Sequence, residues 1–239
     1  MFKKTLLTLA FAVSCSSLSF AKDVTIPTAR GDVTFTQTPT KLAVFEAAAI
    51  DTLAHLGVPV AGSPDVARTL PYLKPATEKA VNIGTVFEPN YEALNGLKPD
   101  LIIVGSRAAK KVDELKNIAT TIDVTTPKEV NTLQGGLNNI ENYGKLFNKE
   151  AEAAKLKAEL ETLIAETKAA VKGKGNGLIV LVNGGKMSAF GPVGRSGWVH
   201  SALNIPEAKF EVNTKGANHG TPISFEYLQK VNPDWLFVL

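Results

Sequence analysis

The sequence predicts an α/β protein of two similar lobes joined by one long helix, and three observations carry that prediction. Uninterrupted apolar runs of strand length alternate with helical stretches toward both ends of the chain. A helical segment with no strand-like run separates those ends. A fourteen-residue pattern occurs once in each, at a constant offset of 134.

The first element reads as an export signal: Lys3 and Lys4, an apolar run over residues 5–13, then Ser19-Phe20-Ala21 as a small-x-small cleavage site. The mature chain is expected to start at Lys22, leaving residues 1–21 as the signal peptide. The run falls short of the roughly 20 residues a permanent membrane helix needs. Cys15, the single cysteine, lies in Ala12-Val13-Ser14-Cys15, a weak match to the lipoprotein pattern because a larger aliphatic residue is usual three positions earlier. Cleavage after Ala21 would leave no cysteine, excluding disulfides, thiolate nucleophiles and cysteine-based zinc sites.

Residues 22–131 are expected to form the N-terminal lobe. Leu42-Ala43-Val44-Phe45, the helical stretch 47–56 and Pro59-Val60-Ala61 give strand, helix and strand in turn. Leu101-Ile102-Ile103-Val104 has no polar alternation, as suits a parallel strand covered on both faces. Residues 132–172 are helical, with a linker helix over 149–172 that starts after Asn148 as N-cap, carries Glu150 and Glu152 in its first turn and stops before Gly173. At 1.5 Å per residue it makes a rod of about 36 Å. Ala153, Leu156, Leu160, Ile164 and Val171 share a face expected to pack against protein. Residues 173–239 form the C-terminal lobe, with apolar runs at 178–182 and 235–239 and a Gly184-Gly185-Lys186 turn that lacks the spacing of a phosphate loop.

The repeated pattern is aromatic-Glu-x-Leu-x-x-apolar-x-Pro-Asp followed by four apolar residues, running from Tyr91 to Val104 and again from Phe225 to Val238. Duplicated lobes account for it; convergence of helix-loop-strand units on one pattern is the alternative. The position equivalent to Arg107 would fall two residues past Leu239, so the second lobe is expected to be truncated in this sequence.

Removing residues 1–21 takes two of the 26 basic residues and no acid, leaving 24 against 23 acids. A near-neutral surface does not suit nucleic acid. The mature chain then has four arginines and twenty lysines. Arg107 directly follows the 101–104 strand, and in open α/β sheets ligands bind at the carboxyl ends of strands. A surface arginine paired with a helix carboxylate is the plainer alternative. Arg195 lies in Gly191-Pro192-Val193-Gly194-Arg195-Ser196-Gly197, where three glycines allow close approach to something bulky. Guanidinium is planar, permanently charged and less strongly hydrated than ammonium, so it suits a large delocalised anion. His219, between Asn218 and Gly220, is a loop histidine able to reach into a cleft; His55 and His200 read as packing or capping residues.

Several of these segments resemble the ferric-catecholate branch of the bacterial solute-binding proteins that feed ABC importers, with its enterobactin- and petrobactin-type binders. They are Lys98-Pro99-Asp100-Leu101-Ile102-Ile103-Val104-Gly105-Ser106-Arg107, Lys186-Met187-Ser188-Ala189-Phe190-Gly191-Pro192-Val193-Gly194-Arg195-Ser196-Gly197 and Asn218-His219-Gly220. The likeness runs from about residue 40 to the end of the sequence.

The resemblance implies two Rossmann-like lobes on a long backbone helix, a periplasmic location and a monomer. It implies capture of a ferric siderophore between the lobes and delivery to an inner-membrane permease, with no intrinsic cofactor and no catalysis. Arg107 and Arg195 are then the ligand-binding residues and His219 a candidate iron ligand. Trp198 and Phe190 could stack on catechol rings or belong to the core. A binder of haem, cobalamin or hydroxamate siderophore is the nearest alternative. A zinc or manganese binder would need clustered ligands, whereas the histidines are scattered. A hydrolase using Ser196 or Ser188 lacks the Gly-x-Ser-x-Gly elbow.

Overall fold

The computed structural model describes residues 23–127, 130–192, 196–208 and 220–239. The expected signal peptide therefore lies outside the described residues, and so do Arg195 and His219.

The described chain opens with an antiparallel hairpin, β1 (Val24–Thr28) and β2 (Gly31–Phe35). The N-terminal sheet follows: β3 (Leu42–Val44), α1 (Ala47–His55), β4 (Gly62–Ser63), α2 (Asp65–Thr69), α3 (Lys74–Thr77), β5 (Val81–Asn82), α4 (Tyr91–Leu97), β6 (Leu101–Val104), α5 (Val112–Leu115) and β7 (Thr120–Asp123). Its five strands are parallel in the order β5-β4-β3-β6-β7. The unalternating apolar runs sort onto its two faces. Leu42, Val44, Leu101 and Ile103 pack with α1 and the following long helix, whereas Ala43, Phe45, Ile102 and Val104 pack with Leu94 of α4 and Leu115 of α5. The strand expected at Pro59-Val60-Ala61 forms later, at Gly62–Ser63. Pro59 has no N–H to offer a ladder; pairing starts where Ala61 N–H donates to the Leu42 carbonyl at 2.9 Å.

Two helices cross to the second lobe, α6 (Thr132–Leu146) and α7 (Glu150–Val171). Asn148 is not the N-cap the sequence suggests. It takes φ +54° just past the end of α6 and donates its side-chain amide to Thr38 Oγ1 at 2.8 Å, so Lys149 becomes the N-cap. Along the expected packing face Ala153 is buried, while Leu156, Leu160, Ile164 and Val171 are half-buried, because α7 runs largely through solvent.

The second sheet comprises β8 (Gly177–Asn183), β9 (Lys186–Phe190), β10 (Thr221–Ile223) and β11 (Trp235–Val238), with α8 (Trp198–Ser201) and α9 (Phe225–Val231) beside it. Its order is β10-β9-β8-β11, and only the β8–β11 pair is parallel. Gly184 and Gly185 both take positive φ, the requirement of a tight hairpin turn, as the Gly-Gly-Lys turn reading expects. The 235–239 run looks like a central strand in sequence, yet Trp235, Leu236 and Val238 are exposed, because β11 has one neighbour among the described strands.

The repeated pattern is a repeated structure. Asn90 and Ser224 cap α4 and α9 by accepting from Ala93 N and Tyr227 N. Lys98 and Asn232 end the same helices in the left-handed region, at φ 52° and 45°. Asp100 accepts from Thr40 N, Thr40 Oγ1 and Lys41 N at 2.8, 2.8 and 2.9 Å, tying β6 to the residues that lead into β3. Asp234 accepts from Asn176 N at 2.8 Å, tying β11 to β8. Hydrogen bonds to a charged acceptor contribute roughly 1.5–3 kcal/mol in favourable cases and less when exposed. Asp100→Ala should therefore lower unfolding free energy in urea by about 1–2 kcal/mol, and Asp234→Ala by less, since it removes fewer bonds.

Candidate ligand-facing edge

All five strands of the N-terminal sheet end on one edge, where the side chains after β3, β5, β6 and β7 meet. β3 runs into Glu46, β6 into Gly105-Ser106-Arg107, β7 into Asp123 and Thr125, and the β5–α4 connection carries Phe87. In such sheets this edge borders the ligand crevice.

Two carboxylates anchor it, Asp123 buried and Glu46 half-buried. Asp123 is 5% exposed; its Oδ1 accepts from Thr125 N at 3.0 Å and Thr125 Oγ1 at 2.5 Å, and its Oδ2 accepts from Arg30 Nε at 3.4 Å. Arg30 lies in the β1–β2 turn and also donates to the Ala109 carbonyl at 2.9 Å, so the hairpin braces the chain that follows Arg107. Thr125 Oγ1 in turn accepts from Ser106 N at 2.9 Å. Ser106 sits at φ 48°, a conformation non-glycine residues rarely take, and the bond from Thr125 holds it there.

Glu46 is the second carboxylate. Burial pushes it above the ordinary carboxylate value of 4.5, opposed by the Ala48 amide, the Arg107 charge and the Ser106 hydroxyl. A Cβ on Gly105 would come within 2.7 Å of Glu46 Oε2, so any larger residue there would push the Glu46 side chain aside. Behind Glu46, the Tyr143 hydroxyl is fully buried with no hydrogen-bond partner among the described residues, and its proton is held by burial and by the nearby Glu46 charge.

Arg107 is exposed and forms no ion pair with the described residues. Its contact is aromatic: Cζ lies 5.7 Å from the centroid of the Phe87 ring. The plainer sequence alternative, an arginine paired to a helix carboxylate, does not describe it. Other predicted positions are elsewhere. His55 is exposed at the end of α1 with Nδ1 2.9 Å from the Asp51 carbonyl; His200 is buried and donates Nδ1 to the Ile205 carbonyl at 3.0 Å. Phe190 is core and Trp198 half-buried. Ser196 is 8% exposed, and Ser188 pairs within the sheet opposite Pro222. No group of three metal-binding side chains forms among the described residues.

Residues 42–239 match the family model described as periplasmic binding protein. The chain belongs to that family. It is 38% identical over 208 residues to the petrobactin-binding protein YclQ of Bacillus subtilis, a match covering 84% of this chain and 63% of that protein. The YclQ crystal structure superposes with a TM-score of 0.83 at 33% identity, over 92% of this chain and 78% of the other. The periplasmic catecholate-siderophore binding protein VctP of Vibrio cholerae gives 0.82 at 27% identity, over 91% and 78%. The ferric-anguibactin-binding protein FatB of Vibrio anguillarum is 27% identical over all of this chain and 80% of its own. The two-lobed, helix-linked fold expected from sequence is the fold of these relatives. Among the described residues no helix is long and apolar enough to cross a membrane.

Sequence reading placed Arg107 at this strand end and did not bring Glu46, Arg30 or Phe87 to it. Two measurements check the geometry. Gly105→Ala should cost up to about 1 kcal/mol by displacing the Glu46 side chain, and Glu46→Ala in the same chain should recover most of it. Glu46 has a raised pKa when folded, so the stability it contributes is complete below pH 4.5 and is lost as pH rises through the raised value. Glu46→Gln should remove that loss, and urea unfolding should show the variant gaining on the parent from pH 4.5 to neutrality.

Proposed function

We propose that this protein captures a ferric catecholate-type siderophore in the cleft between its lobes and delivers it to an inner-membrane ABC importer for iron uptake. The observation that carries the reading is Arg107: an exposed guanidinium in no direct ion pair with the described residues, at the carboxyl edge of a parallel sheet. A permanently charged group left unpaired there suits an anionic ligand. The names of relatives support the same class, since they bind petrobactin, catecholate siderophores and ferric anguibactin.

In this reading Arg195 grips the ligand from the second lobe, and His219 donates a ring nitrogen to iron where the siderophore leaves a coordination position open. Iron is cargo and enters with its chelator; no intrinsic cofactor is required. Binding is reversible encapsulation without turnover. Residues 1–21 direct export and are removed, the mature monomer works in the periplasm, and residues 22–131 and 173–239 are the lobes that the 149–172 helix connects.

Charge is the property to test. Arg107→Ala and Arg195→Ala should each weaken binding of a triply negative ferric catecholate by about 2–5 kcal/mol if those contacts are desolvated in the closed cleft. A neutral ferric hydroxamate should be affected far less. Quenching of Trp198 and Trp235 fluorescence measures both. Equal losses for the two ligands would sink the charge-reading role.

A further inference from the structure

We propose that Phe87 is a specificity-determining residue, its ring offering a face to the aryl groups of the ligand while Arg107 takes their anionic oxygens. The proposal rests on the siderophore reading and deepens it, because it concerns how an aryl complex is told from other anionic iron complexes.

Phe87 is 62% exposed, on a loop whose backbone is heavily bonded within itself. Thr85 N donates to the Glu88 carbonyl at 3.0 Å, and Thr85 Oγ1 accepts from Phe87 N at 3.2 Å and Glu88 N at 2.9 Å. Asn90 N donates to the Ile83 carbonyl at 2.8 Å. Gly84, at φ +91°, has space for no Cβ, since the Glu88 carbonyl oxygen would lie 2.5 Å away. A loop this closely folded presents its apolar tip by construction. Burying that ring elsewhere would break these bonds, so the loop keeps it in water at the expense of its burial.

The ring's placement narrows its use. β5 and β6 are separated in the sheet by β4 and β3, so neighbouring strand spacing of about 4.8 Å puts their ends some 14 Å apart. Yet Phe87, after β5, and Arg107, after β6, meet at 5.7 Å. The loop after β5 and the Arg107 side chain together close that gap on the carboxyl-end side of the sheet, which borders the proposed cleft. A guanidinium against an aromatic ring keeps its plane and its outward donors available. The pair combines an apolar π-face with anion-binding donors, which is the complement of a ring carrying deprotonated oxygens. A citrate or hydroxamate complex has the oxygens and lacks the ring.

The test titrates the full chain, Phe87→Leu, Phe87→Tyr and Arg107→Ala with the trianionic iron(III) complex of a synthetic tricatecholamide and with anionic iron(III) dicitrate. Leucine keeps apolar volume and removes the ring. Phe87→Leu should weaken tricatecholate binding about five- to tenfold and dicitrate binding less than about twofold, with Phe87→Tyr near the parent for both. Equal losses for both complexes would mean that Phe87 acts only through Arg107, and no loss for the tricatecholate would mean that it takes no part; either overturns the proposal. If Arg107→Ala weakens binding while Phe87→Leu does not, the siderophore reading stands and the ring's role falls. If the parent chain binds neither complex, the siderophore reading itself fails and takes this inference with it.

Discussion

The geometry of the candidate ligand-facing edge depends on a carboxylate at the opposite end of the same strands. Asp100 accepts three hydrogen bonds from Thr40 and Lys41, which lead into β3, and thereby sets where β6 begins beside it. With Leu42 opposite Leu101 and Val44 opposite Ile103, the two strands run out together. Glu46 and Gly105-Ser106-Arg107 consequently arrive at one height. A shift of pairing would carry Arg107 away from both Glu46 and Phe87 and would leave Gly105 no longer facing the acid that a Cβ there would displace. A local polar contact at the amino ends thus fixes the geometry at the carboxyl ends, some four residues along.

The same device works in the second half of the chain with a different outcome. Asp234 ties β11 to the start of β8, and Trp235 pairs with Gly177 as Leu101 pairs with Leu42. Caps, left-handed helix ends and aspartate clamp recur at the same offset. Burial does not recur. β6 is fully buried between β3 and β7, whereas β11 has β8 on one side and no described strand on the other. Apolar sequence sets what a strand can bury, and the neighbours present decide what it does bury.

This separates what was legible in the sequence from what was not. Features set within a few residues were readable: the α4–β6 unit and its repeat, the Gly-Gly turn, and Arg107 as the residue that leaves a buried strand. Asn148 misled because a good N-cap residue is also a good left-handed helix terminator, and its bond to Thr38, far away in sequence, decided between them. The partners at the edge were invisible for the same reason. Arg30 meets Asp123 across 93 positions, and Phe87 reaches Arg107 by a loop path that no periodicity encodes. A signal for Glu46 existed in hindsight: an acid directly after a buried strand and directly before a helix, in a segment otherwise apolar.

The edge carries two acids near the proposed anion site, one buried and one half-buried, an arrangement that would oppose binding if both were fully charged and open. Asp123 is screened by its own donors, with Arg30 and the amide and hydroxyl of Thr125 taking its oxygens. Glu46 has the Ala48 amide and the Ser106 hydroxyl, yet burial outweighs them and shifts it toward its neutral form. Every step toward neutrality withdraws negative charge from beside Arg107 and leaves more of the guanidinium field directed outward. An anion arriving above Arg107 would add a second negative charge near Glu46 and push it further the same way. Glu46 can therefore yield charge as a ligand approaches Arg107, which the acid of a fixed salt bridge could not do.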